Sequence, residues 1–89
     1  MQQATLTIVN RLGLHARAAS KLVNQAKRFQ SDIRLVHAGN EADAKSIMSV
    51  MLLAAPFGSE IAIQVSGSDE TEALTAVTQL INDRFGEAE

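Results

Sequence analysis

The 89-residue chain contains no cysteine, tryptophan or tyrosine, one proline and only three phenylalanines. Each shortage removes a class of function. Without thiols there is no disulfide framework and no thiolate-held metal, which agrees with a reducing compartment. So few aromatic rings leave little for nucleic-acid bases to stack on. The longest apolar run, Val50 to Phe57, is about half of what a bilayer crossing needs. The first residues, Met1-Gln2-Gln3-Ala4, lack the basic and long apolar regions of a signal peptide. The expectation is a soluble cytoplasmic protein with one small domain over residues 1–89, binding neither nucleic acid nor membrane. A domain of this size buries a modest core and has no room for a deep catalytic pocket, so its function is expected on the surface.

The formal net charge of −2 hides an asymmetry. Residues 1–45 carry seven Lys/Arg and three Asp/Glu, for +4, whereas residues 46–89 carry one Arg and seven acidic residues, for −6. That split predicts a basic face that meets an acidic partner. The acidic overall balance argues against nucleic acid as that partner.

Periodicity predicts the order β-α-β-β-α-β-α. Alternation predicts a strand over residues 4–9, with Ala4, Leu6 and Ile8 inward. Ala19, Leu22, Val23, Ala26 and Phe29 recur at helical spacing and predict a helix over 16–29. A strand at 32–37 with Ile33 and Leu35 inward leads through the turn Ala38-Gly39-Asn40 to a weaker strand at 41–44. A short helix is predicted over 46–54, ended by Pro56-Phe57-Gly58-Ser59. A strand over 60–66 follows, with Ile61, Ile63 and Val65 inward, and then a helix over 70–85. Asp69 and Glu72 have the spacing of a capping box, and Gly86 that of a helix stop. Short strand connections favour a largely antiparallel α+β sheet with helices on one face.

Gly13-Leu14-His15-Ala16-Arg17 spans the passage from the first strand to the first helix. A histidine there sits at or just before a helix N-terminus, where free backbone N–H groups and the helix dipole favour an anion. Imidazole beside an anion hole suits accepting and donating a phosphoryl group. The plain alternative is a polar residue that only satisfies the backbone. Arg17 shifts the balance, because a cation in the first turn opposes the helix dipole and a bound phosphate would remove that penalty. Arg17, Lys21 and Arg28 project from one side of this helix, with Lys27 nearby, as a docking face or merely a solvated one. Ser46 is placed as an N-cap of the second helix, which is apolar nearly all round. Val50 and Leu53 suit the core, leaving Ile47, Met48 and Met51 as an exposed patch, and methionine suits adaptable contacts. His37, at a strand end beside a turn, has no partner in sequence and receives no role.

The two motifs, Gly13 to Arg17 and Lys45-Ser46-Ile47-Met48, at this separation and in this element order, resemble the HPr family over essentially the whole chain. These are histidine-containing phosphocarriers of the bacterial phosphoenolpyruvate-dependent phosphotransferase system. The resemblance implies an open-faced sandwich, a four-stranded antiparallel sheet in order 1-4-2-3 with three helices on one face. It implies that enzyme I phosphorylates His15 on a ring nitrogen, that Arg17 is the charge partner, and that the amides of Ala16, Arg17 and Ala18 hold phosphate oxygens. An enzyme II A-type domain would then accept the group, so the chain is a stoichiometric carrier rather than an enzyme and needs no cofactor or metal. Ser46 matches the family's regulatory serine, which a dedicated kinase phosphorylates in some bacteria, so a kinase/phosphorylase acting on Ser46 is an implied partner. Ile47, Met48 and Met51 match the family's apolar docking patch, and Lys21, Lys27 and Arg28 of the basic helix face are expected to complete the docking surface. A shuttle that must release its partners is expected to be monomeric.

One position departs from the family. Ala18 stands where proline commonly follows the motif arginine. Alanine restores a backbone N–H, which adds a donor near the phosphate, and loosens the helix start. This leaves two branches of the system open, sugar uptake and nitrogen regulation. The competing function is a regulatory binding module of the same fold read through phospho-Ser46.

Overall fold

Alternating side chains build four strands, and amphipathic stretches build the helices that cover one side of them. The computed structural model describes residues 1–89. Its elements are β1 (Gln2–Thr7), α1 (Ala16–Ala26), β2 (Asp32–His37), β3 (Asn40–Asp43), α2 (Ile47–Leu52), β4 (Glu60–Ser66) and α3 (Glu70–Asn82), followed by a 3-10 turn at Arg84–Gly86. The strands form one antiparallel sheet in the order β1-β4-β2-β3. Register aligns the inward residues in rows across it. Ala4 faces Ile63, Ile63 faces Leu35, and Leu35 faces Ala42. Ile61, Ile63, Val65, Ile33 and Leu35 are buried beneath the helices, where Ala19, Leu22 and Val23 of α1 and Ala73, Val77 and Ile81 of α3 meet them. The strands' other residues, among them Thr5, Glu41 and Asp32, face solvent. No helix is long and apolar enough to cross a membrane.

Helix ends depart from the expected limits for local reasons. β1 begins two residues before the expected start, because Gln2 and Gln3 pair with Val65 and Gln64. α1 stops at Ala26 rather than Phe29. Arg28 and Phe29 instead donate to Gln25 and Ala26 in tighter i→i+3 bonds, and Lys45 Nζ donates to the Phe29 carbonyl at 2.8 Å. α2 is also shorter than 46–54. Ser46 lies outside it as the N-cap, with Oγ accepting from the Ser49 amide, and Ala54 takes a left-handed φ of 50° just beyond it.

The expected end of α3 is wrong by a whole segment. The helix stops at Asn82, and Arg84, Phe85 and Gly86 follow with positive φ values of 58°, 55° and 79°. That reversal turns Phe85 inward until it is fully buried, the largest such side chain in the core. Burying a ring offsets the cost of two non-glycine residues in the left-handed region.

The capping box at Asp69 and Glu72 does not form. Asp69 makes no side-chain bond to the start of its own helix. Its carboxylate accepts from the amides of Gln30 and Ser31, both at 2.9 Å, and from Ser31 Oγ. Glu70 reaches back instead to the Gly67 amide. The start of α3 is thus pinned to the entrance of β2. The approach is close, since a Cβ on Gly67 would stand 2.6 Å from Ser31 Cα.

Hydrogen bonds from Ser31 and from the Gln30 amide hold the Asp69 carboxyl below its ordinary value of 3.8, against the opposing effect of burial. A lowered folded-state pKa stabilises the fold above the unfolded value, and that contribution is lost as pH falls through the folded value. The melting temperature is therefore expected to drop as the pH is taken well below 3.8. Asp69→Asn should already be destabilised at neutral pH and should show a shallower acid dependence. Thermal melts followed by circular dichroism at several pH values check this, and equal slopes for both proteins would refute it.

Candidate functional site

The loop between β1 and α1 is clamped from beneath. Asn10 is fully buried, and its Nδ2 donates to the Gly13 carbonyl at 2.8 Å. Gly13 has φ 68°, and a Cβ there would lie 2.6 Å from the Ala55 carbonyl oxygen and 2.9 Å from Pro56 Cα. Only glycine fits both the backbone angle and the contact. The next amide, Leu14, donates to Ala55 at 2.9 Å. The loop is thereby locked against the segment that follows α2.

His15 emerges from this clamp as the N-cap of α1, with extended backbone angles. Its carbonyl accepts from the Ala19 amide at 2.8 Å, and its Nδ1 accepts from the Arg17 amide at 3.3 Å. Nδ1 therefore faces the first-turn N–H groups, which have no acceptor within the helix. Ala16 and Arg17 are exposed, whereas Ala18 is buried and its helix starts where expected. Arg17 makes no ion pair, so its guanidinium remains available beside the ring.

The second ring nitrogen, Nε2, meets the Glu87 carboxylate. The His15 side chain is 27% exposed and that of Glu87 only 14%. The other Glu87 oxygen accepts from Asn10 Nδ2 at 3.0 Å. Burial pushes the Glu87 carboxyl up, but hydrogen bonds from Asn10 and His15 and the nearby charge of Lys21 outweigh it, so its pKa lies below the ordinary carboxylate value. Glu87, Arg17, Arg11 and Leu12 line an open cleft at His15 of about 590 Å³.

Glu87 and Asn10 are the residues that sequence reasoning missed. Asn10 bonds to Glu87 across 77 positions, and His15 to Glu87 across 72. No periodicity or motif spacing signals contacts at such separations.

Just beyond the end of α1, Lys27 and Arg28 are exposed, and Arg28 bonds only to Gln25 in the last turn of that helix. Lys21 is also exposed along its stem, but its Nζ donates to the Phe85 carbonyl at 2.7 Å and so ties down the C-terminal segment. On α2, Val50 and Leu53 are buried, while Ile47, Met48 and Met51 face solvent. Leu12, Leu52 and Phe57 are exposed apolar side chains as well, and none of the three was singled out in the sequence. Met48 and Phe57 are 67% and 62% exposed. His37 bonds to the Glu60 carbonyl at a strand end and lies apart from the cleft. No group of three or more His, Asp or Glu side chains is arranged to hold a metal.

Comparison with known proteins agrees with this geometry. Residues 2–83 match the family model described as "PTS HPr component phosphorylation site". The phosphocarrier protein HPr of Cupriavidus necator is 49% identical over 89 residues, covering all of both chains. That of Xylella fastidiosa strain Temecula1 is 48% identical over 87 residues, 98% of each chain. Among solved structures, HPr from Thermoanaerobacter tengcongensis superposes with a TM-score of 0.96 at 38% identity, covering both chains completely. An open four-stranded sheet in this order, a histidine capping the first helix, and full-length likeness at this identity together place the chain in the HPr family of phosphocarrier proteins of the phosphotransferase system.

Proposed function

We propose that His15 accepts a phosphoryl group on Nδ1 from enzyme I, itself charged by phosphoenolpyruvate, and passes it to an enzyme II A-type domain. The observation that carries this reading is the division of the ring. Nε2 is held by Glu87 while Nδ1 points at the amides of the first turn. In the forward step the Nδ1 lone pair attacks phosphorus and a P–N bond forms. The bond from phosphorus to the donor breaks, and its electron pair leaves with the donor. Transfer onward repeats the displacement with the imidazole as leaving group. The amides of Ala16, Arg17 and Ala18 and the guanidinium of Arg17 neutralise the phosphate oxygens. The chain turns nothing over alone, because positioning and charge are completed by the partner's site. It works as a stoichiometric cytoplasmic carrier of one domain. Sugar uptake and nitrogen regulation both remain compatible with Ala18.

The exposed apolar side chains Ile47, Met48 and Met51, together with the exposed cations Lys27 and Arg28, serve as the docking face for acidic partners. Ser46 lies at its edge as a site for a regulatory kinase. A phosphate there would gain from the start of α2 and oppose acidic partners through like charge.

The decisive test is to incubate the protein with phosphoenolpyruvate and an enzyme I and to read its intact mass at alkaline pH. One acid-labile phosphoryl group is expected. Failure to gain it with any active enzyme I would overturn the carrier reading in favour of the regulatory module. Met48→Glu should weaken the donor about ten-fold or more in concentration-dependent transfer rates while leaving stability within about 0.5 kcal/mol. A variant that unfolds would assign Met48 to the core instead.

A further inference from the structure

Glu87 reaches the carrier histidine from outside the recognised motifs, and its own surroundings are built to hold it there. Three contacts fix the segment that bears it. Phe85 is buried, Lys21 Nζ donates to the Phe85 carbonyl, and the Arg11 amide donates to the Glu89 carbonyl at 2.8 Å. A fourth fixes the carboxylate itself. Asn10 Nδ2 bridges the Gly13 carbonyl and Glu87, so one buried amide links the tail to the loop that aims His15.

We infer that Glu87 is the positioning residue of the phosphoryl carrier: its carboxylate holds the proton on Nε2 of His15 and leaves the Nδ1 lone pair as the nucleophile. The inference rests on the phosphocarrier reading and deepens it. A neutral imidazole has one N–H and one lone pair, and the partner of one nitrogen decides which nitrogen carries which. A carboxylate accepts only, so the nitrogen facing Glu87 must be the N–H. Nδ1 faces an amide donor and must offer a lone pair. Both contacts select the same tautomer.

The carboxylate also acts after transfer. When Nδ1 forms its bond to phosphorus and Nε2 keeps its proton, the ring carries a positive charge. Glu87 lies against that charge and stabilises the protonated adduct. This is the form whose P–N bond breaks to release a neutral imidazole, so the group stays transferable. Without the carboxylate the ring would shed the Nε2 proton more readily and hold the phosphate in a less reactive, neutral N-phosphoryl form.

Two variants separate the hydrogen bond from the charge. Nitrogen-15 NMR of the unmodified protein reports which ring nitrogen is protonated. The wild type should be predominantly the Nε2–H tautomer, and Glu87→Ala should lose that preference. Glu87→Gln keeps an acceptor and should retain much of it. Phosphoryl uptake from enzyme I should slow about ten-fold in Glu87→Ala, the scale typical for losing the partner that orients a functional histidine. Onward transfer should slow in Glu87→Gln as well, because the charge is gone. Amide spectra confirm that each variant is folded. Unchanged tautomers in Glu87→Ala, or unchanged transfer in both variants, would overturn the inference. A wild type that takes no phosphate would overturn the functional reading. The tautomer measurement needs no donor and would still decide the placement of Glu87.

Discussion

His15→Ala is expected to take up no phosphoryl group from a charged donor, with wild type fully modified under the same conditions. The expectation follows from chemistry rather than from position alone. Imidazole is both a nucleophile and a fair leaving group, which a reversible relay demands. The other histidine, His37, bonds to the Glu60 carbonyl and has no first-turn amides to receive phosphate oxygens. Alanine also removes the cap of α1, which costs about 1 kcal/mol. His15→Asn separates the two effects, because asparagine is a favoured N-cap but no phosphoryl carrier. Both variants should fail equally in transfer, with His15→Asn the more stable. The readout is acid-labile phosphate by intact mass. An acid-labile adduct on either variant would move the carrier role to another residue. An acid-stable adduct would instead be a serine ester, with Ser46 as the first site to examine.

Phe85→Ala is expected to destabilise the fold by about 3–5 kcal/mol, the range for removing a buried aromatic ring. Phe85 is completely buried in a core of 21 residues. A small domain has only about 5–15 kcal/mol in total, so the melting temperature should fall by about 12 °C or more. Alanine brings no compensation in backbone strain, since the φ of 55° is left-handed and alanine also has a Cβ. The effect should reach function as well. Phe85 anchors the segment that carries Glu87, and its carbonyl is the acceptor for Lys21 Nζ. In whatever fraction remains folded, transfer should slow in the manner of Glu87→Ala. Urea denaturation measures the first effect and transfer per folded molecule the second. A loss under about 1 kcal/mol would show that the core closes around the deletion.

The two parts of the site differ in how far they could be read from sequence. Everything up to Arg17 depends on neighbours. Gly13 permits the turn, His15 precedes an amphipathic stretch, and a helix start exposes amides whatever the rest of the chain does. The inward faces of the strands followed from alternation in the same way, as did Ser46 as a cap. Errors fell where local signals competed with distant partners. Asp69 has the spacing of a capping box, yet its carboxylate serves Ser31 and Gln30, because three donors converge on it there. The pattern of α3 runs on to Phe85, but a buried ring outweighs three more residues of helix, so the chain reverses after Asn82. Lys21 looked like part of a free basic face, and its ammonium is occupied by a carbonyl 64 positions away.

The sequence by itself determined the elements, the histidine at a helix start, the apolar face of α2 and, through its two motifs, the family. These are short-range properties, set by side-chain period, backbone freedom and capping within a few residues. Only the tertiary structure decided what surrounds the histidine's second nitrogen. Glu87 reaches it because Phe85 packs into the core, Lys21 holds the turn, and buried Asn10 binds the carboxylate. Each contact closes a long loop of chain, and such closures depend on the whole fold rather than on any local pattern of residues.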